Sequence, residues 1–164
     1  MSRTTVFRIK HDGQVEVAFE QHNAWLHAPK IWEALFKKYC LKPTDHEYAS
    51  WLQYSDRLWA LQSDDRLSRA ERIALLATFD RIWVPREMIP EVAEAFAHLG
   101  GSIVGLAGMV NEAIRGVCFQ GTSVSENLWS RNDEEGGLIN IDRDPCCNGK
   151  KPWCLAEDLA EVRR

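Results

Sequence analysis

The stretch Thr4-Thr5-Val6-Phe7-Arg8-Ile9-Lys10-His11-Asp12-Gly13-Gln14-Val15-Glu16-Val17-Ala18-Phe19-Glu20 decides the fold. In an extended chain successive side chains point to opposite faces. Val6, Arg8 and Lys10 then share one face, and Thr5, Phe7 and Ile9 the other. The second run places Val15, Val17 and Phe19 together, opposite Gln14, Glu16 and Glu20. His11-Asp12-Gly13 supplies the turn, with the glycine free to take positive φ. A hairpin with an apolar face needs a cover, and the residues that follow have helical spacing.

Pro29 fits the first position of a helix reaching about Cys40, with Ile31, Trp32, Leu35, Phe36 and Tyr39 as its buried stripe. Thr44-Asp45-His46-Glu47 matches a capping box and predicts a helix that carries Tyr48, Trp51, Leu52, Leu58 and Trp59. Ser68-Arg69-Ala70-Glu71 matches a second box, opening a helix with Ile73, Leu76 and Ala77 on one face. Ile82-Trp83-Val84 reads as a short buried strand. Pro85 and Pro90 forbid a helix across them, and Pro90 opens another with Val92, Ala95, Phe96 and Leu99 inward, ended by Gly100-Gly101. Residues 102–115 read as helix although Gly105 and Gly108 each cost about 1 kcal/mol against Ala. Val117 to Gln120 reads as a strand, 121–150 as mostly loop with a strand at Leu138 to Ile141, and Leu155 to Val162 as a closing helix. The assembled expectation is an α+β fold: one mainly helical domain over residues 1–164, with an N-terminal β-hairpin and a small antiparallel or mixed sheet.

Composition narrows the function classes. At 164 residues, 45% hydrophobic and 27% charged, the chain has material for a core without metal or disulfides. A net charge of −4 and a pI of 5.7 do not suit a general nucleic-acid binder. The imbalance lies in residues 61–164, which hold 12 Lys/Arg against 17 Asp/Glu, a surface suited to a basic partner. No run of 18 apolar residues spans a membrane, and Met1 to Lys10 has no apolar signal core. A cytoplasmic location is expected, with the five cysteines as reduced thiols.

Candidate sites are few. Cys146, Cys147 and Cys154 are the densest thiol cluster, but they lack the Cys-x-x-Cys pairing of zinc sites, and no metal or other cofactor is expected. Asp142-x-Asp144 fails the EF-hand pattern, since its sixth and twelfth positions are Cys147 and Trp153. Gly100-Gly101, Gly105 and Gly108 do not form a dinucleotide fingerprint. Cys118 with His98 has no catalytic motif around it, so the reading leans away from an enzyme while keeping a site near Cys118 and the 122–135 loop as one alternative. Arg8, Lys10, Lys30, Lys37, Lys38 and Lys42, with Trp25 and Tyr39 beside them, make nucleic-acid binding by the hairpin and first helix a second alternative.

The preferred site is a partner-binding surface on the later loops. Ser123, Ser125 and Glu126 lead to Trp129, and Asp133, Glu134 and Glu135 follow with the acidic charge. Trp is enriched at interaction hot spots, and of the seven in this chain Trp25, Trp129 and Trp153 fall outside the helical stripes.

Ala28-Pro29-Lys30-Ile31-Trp32, the Trp-rich helices, and Thr122-Ser123-Val124-Ser125-Glu126-Asn127-x-Trp129 after a strand resemble small phage and prophage proteins, the broad class that includes anti-CRISPR proteins. The resemblance implies a binding protein that inhibits or regulates a host defence or nucleic-acid-processing complex by occluding a host protein. It carries no catalytic residue onto this chain.

Overall fold

The structure is a computed structural model and describes residues 3–22, 28–121, 129–130, 137–145 and 150–161. Five strands, β1 (Arg3–Ile9), β2 (Val15–His22), β3 (Ile82–Pro85), β4 (Gly116–Gly121) and β5 (Trp153–Cys154), form one sheet in the order β2-β1-β4-β3-β5. The β1–β2, β1–β4 and β3–β4 pairs are antiparallel and β3–β5 is parallel. The helices are α1 (Ala28–Leu35), α2 (Ser55–Ala60), α3 (Arg69–Ala77), α4 (Ile89–His98) and α5 (Leu155–Glu161). The fold is α+β with an N-terminal hairpin, as the alternation and capping signals indicate.

The hairpin departs from strict alternation at one point. Val6 pairs with Phe19, but Phe7 pairs with Val17, so Ala18 is an extra residue in β2. This bulge turns Phe19 to the Val6 side and leaves Val15 and Val17 on the Phe7 side, correcting the expectation that all three share a face. Both faces of the sheet are therefore covered. Val6, Val84, Val117 and Phe119 pack into the larger core beneath α1, α3, α4 and α5. Phe7, Ile9, Val15 and Cys118 pack on the other side against Trp129, Ile139 and Ile141.

Gly116 is required where β4 passes β3, because a Cβ there would lie 2.3 Å from the Val84 carbonyl oxygen and 2.9 Å from the Trp83 ring. Helix α3 is central to the larger core and touches α1, α4 and α5. Its capping box forms as the sequence predicts: Glu71 N–H donates to Ser68 Oγ at 3.3 Å and Ser68 N–H to Glu71 Oε2 at 2.9 Å. Burial raises the Glu71 pKa. The Lys38 ammonium, the Ser68 N–H and the Tyr39 hydroxyl more than offset that and hold it at about 2. Ser68→Ala should lower unfolding free energy by about 1 kcal/mol, the ordinary cost of a lost N-cap, measured by urea denaturation; an unchanged midpoint would show that the cap contributes nothing.

Three other expectations are corrected. Thr44 to Glu47 does not open a helix: the Asp45 carboxylate accepts from the Lys42 N–H at 2.7 Å and the Arg57 guanidinium at 2.6 Å, the chain turns, and α2 begins only at Ser55. The 102–115 helix is replaced by a single 3₁₀ turn, Leu106–Met109, entered through Gly105 at φ 80°, in the left-handed region that ends right-handed helices. Leu138 to Ile141 makes isolated bridges to Ser130 and Gln14 and no continuous strand.

Candidate functional site

Residues 41–54 leave the larger core and return to it, and their backbone is fixed at several points. Arg57 grips both oxygens of Asp45, at 2.6 and 3.2 Å, and donates to the Cys40 carbonyl at 3.3 Å. The paired guanidinium, and then the Lys42 N–H, hold the Asp45 carboxyl below its ordinary pKa. Turns close at Ala49 N–H to His46 O, 2.8 Å, and Gln53 N–H to Ser50 O, 3.1 Å. The Tyr48 N–H meets His46 Nδ1 at 3.2 Å. From below, Trp51 packs edge-on against Trp32 at 4.7 Å, Trp32 meets Trp59 at 5.2 Å, and Tyr54 stacks on Phe36 at 6.0 Å.

This tethered segment presents three large apolar side chains to solvent: Tyr48 is 74% exposed, Leu52 66% and Leu41 47%. A helix over these residues would have turned Tyr48 and Leu52 inward, which is why helical periodicity misassigned them to the core.

The residues singled out from sequence separate into three groups. Trp129 is fully buried and packs on Phe7 with ring centroids 6.5 Å apart, so it is a core residue and not a contact surface. It covers the underside of the hairpin together with Ile139 and Ile141. Trp153 is 37% exposed at the sheet edge, as expected of a contact residue. Trp25, Ser123, Ser125, Glu126, Asp133, Glu134 and Glu135, like Cys146 and Cys147, lie outside the described residues.

Cys118 is fully buried below the sheet. His98 ends α4, whose buried side chains pack on the opposite face, so the two do not meet. Four cations of the basic face are paired, Arg8 and Lys10 with Glu16, Lys37 with Glu33 and Lys38 with Glu71, while Lys30 and Lys42 make no ion pair among the described residues. Among the described residues no group of three or more His, Cys, Asp or Glu is arranged to hold a metal, and no helix is long and apolar enough to cross a membrane.

One titratable group has an altered environment that sequence reasoning missed. Asp80, in the turn between α3 and β3, is withdrawn from solvent, and that burial pushes its pKa up to about 6 although the Gly121 N–H donates to it. No cation acts on it among the described residues. Comparison of the chain with protein-family models, curated proteins and solved structures finds no match.

Proposed function

We propose that this chain is a binding protein that acts through protein–protein contact, with Leu41, Tyr48 and Leu52 at the centre of its contact surface. The observation that supports the reading is the exposure of these side chains, up to 74% at Tyr48, on a backbone held by the Asp45–Arg57 pair. Exposed apolar side chains grouped on one segment mark interaction sites more often than isolated ones do, and Tyr is enriched among hot spots. A backbone fixed in advance loses little entropy on docking, which leaves more of the contact energy as affinity. The form of binding implied by the resemblance is inhibition or regulation of a host complex, and the proposal adopts it. The contact surface moves from the 122–135 loop to the 41–52 segment because Trp129 is buried.

The test compares the wild-type chain with Tyr48→Ala/Leu52→Asp in capture from bacterial lysate, followed by affinity measurement on the captured partner. Both side chains are exposed, so the melting temperature should hold within the range of surface substitutions. Affinity should fall by about 30-fold or more, the effect of losing one hot spot worth about 2 kcal/mol. Equal affinity of the double variant for the same partner would overturn the proposed surface.

A further inference from the structure

We propose that Arg81, Lys150, Lys151 and Trp153 form a second recognition site, one that takes a short acidic segment of a partner protein with an apolar residue beside its carboxylates. β5 lies parallel to β3, with Trp153 beside Ile82 and its N–H donated to the Arg81 carbonyl at 2.9 Å. That register places the Arg81 guanidinium over the indole of Trp153, 4.1 Å from the ring centroid. A guanidinium held over an aromatic ring keeps its charge and its N–H donors for a carboxylate, which it can meet bidentately.

Charge gathers around this platform. Lys150 and Lys151 are exposed immediately before Trp153. The Lys151 ammonium reaches the Asp142 carbonyl at 3.5 Å, which brings the exposed Arg143 turn alongside. Several cations elsewhere on the surface are paired with carboxylates, as in Arg3–Glu20 and Arg69–Glu91, while others among the described residues, such as Lys30, are not. Among the described residues Arg81, Arg143, Lys150 and Lys151 make no ion pair. Lys150 and Lys151, exposed immediately before a Trp that is 37% exposed and carries Arg81 on its ring, give this edge a local positive charge on a chain of net charge −4.

The surroundings decide the class of occupant. Helix α5 borders the platform with Glu157, Asp158 and Glu161. Burial, then Glu161, raises the Asp158 pKa, with Arg81 acting against them. A phosphate backbone needs a continuous basic track and would run onto these carboxylates. A short segment whose one or two carboxylates meet Arg81 and the lysines, and whose apolar side chain lies on Trp153, avoids them. This site stands apart from the Tyr48 surface and does not depend on it.

The experiment uses the full chain and fluorescence anisotropy, with a fluorescein-labelled peptide of alternating Glu and Leu as the probe and a labelled oligothymidylate as comparator. Saturable peptide binding that weakens as salt is raised is expected. Arg81→Ala and Trp153→Ala should each reduce affinity about tenfold. Arg81→Lys should fall between, because it keeps the charge and loses the fork. Lys150→Glu/Lys151→Glu, both exposed and losing only the long Lys151–Asp142 carbonyl contact, should abolish binding, while Tyr48→Ala/Leu52→Asp should leave it unchanged and so keep the two surfaces distinguishable. Absence of saturable peptide binding, undiminished binding by the Lys150→Glu/Lys151→Glu variant, or tighter binding of the oligothymidylate would each overturn the proposal.

Discussion

Trp129→Ala should destabilise the protein by about 3–5 kcal/mol, the usual cost of emptying a fully buried Trp site. Trp129 is 0% exposed and is the largest fully buried side chain among the described residues, with Phe7, Ile9, Val15, Cys118, Ile139 and Ile141 in the same cluster. Its carbonyl also accepts the Ile139 N–H at 3.0 Å, so the side chain anchors the segment that closes this second core. For a chain of this size the loss corresponds to a melting temperature lower by about 10 °C or more. Urea denaturation followed by far-UV circular dichroism measures it. A loss of less than about 1 kcal/mol would show that the underside of the sheet is not a cooperative part of the fold.

The second large effect carries the opposite sign. Asp80→Asn should stabilise the protein at neutral pH, by about 2–3 kcal/mol at most, because the folded state holds this carboxyl at a pKa of about 6 against 3.8 for the free group. Between those two values the folded chain keeps a proton that the unfolded chain has released. Stability attributable to Asp80 therefore falls as pH rises from about 4 to about 6 and stays low above that. An Asn side chain still accepts the Gly121 N–H and carries no charge to desolvate. The two proteins should be nearly equal in stability at pH 4 and diverge through pH 6, with the variant the more stable. Parallel denaturation curves at pH 4.5 and 7.5 decide it; a constant difference between the two pH values would mean that Asp80 is not the buried acid described here.

Much of the architecture is legible where local chemistry alone decides the outcome. The hairpin follows from alternation around Gly13, α3 from Ser68 and Glu71, and the end of α4 from Gly100, which takes φ 76° as a terminating glycine does. Sequence reasoning fails where a distant partner competes for the same atoms. Thr44 to Glu47 and Ser68 to Glu71 match the same pattern, yet only the second caps a helix; in the first, Arg57 and the Lys42 N–H hold the neighbouring Asp45 carboxylate in a turn. The bulge at Ala18 is likewise invisible in a run of alternating residues, since it is defined by the register against β1.

The candidate surfaces were less legible for the same reason. Tyr48 and Leu52 read as core under helical periodicity and became surface once the helix was lost. Trp129 read as a contact residue because Phe7, Ile9 and Val15, its neighbours in the second core, lie more than 100 residues away on the N-terminal hairpin. Trp153 was identified by its loop position, but Arg81, its stacking partner, belongs to another part of the chain and becomes visible only through the β3–β5 pairing. The environment of Asp80 depends wholly on how the end of β4 returns past the α3–β3 turn.

The position of β4 between β1 and β3 also sets the order in which this molecule can assemble. Phe7 faces Cys118 across the β1–β4 ladder, so on the order of 100 residues must emerge from the ribosome after the hairpin before its inner edge finds a partner. At ordinary elongation rates that interval is roughly 5–20 s, far longer than a hairpin needs to form or melt. Throughout it, a strand carrying Val6, Phe7 and Ile9 has neither of its covers. The nascent hairpin is thus a marginal, open-edged species, dependent for its fate on intervening helices that fold first and on whatever holds its apolar faces until β4 arrives.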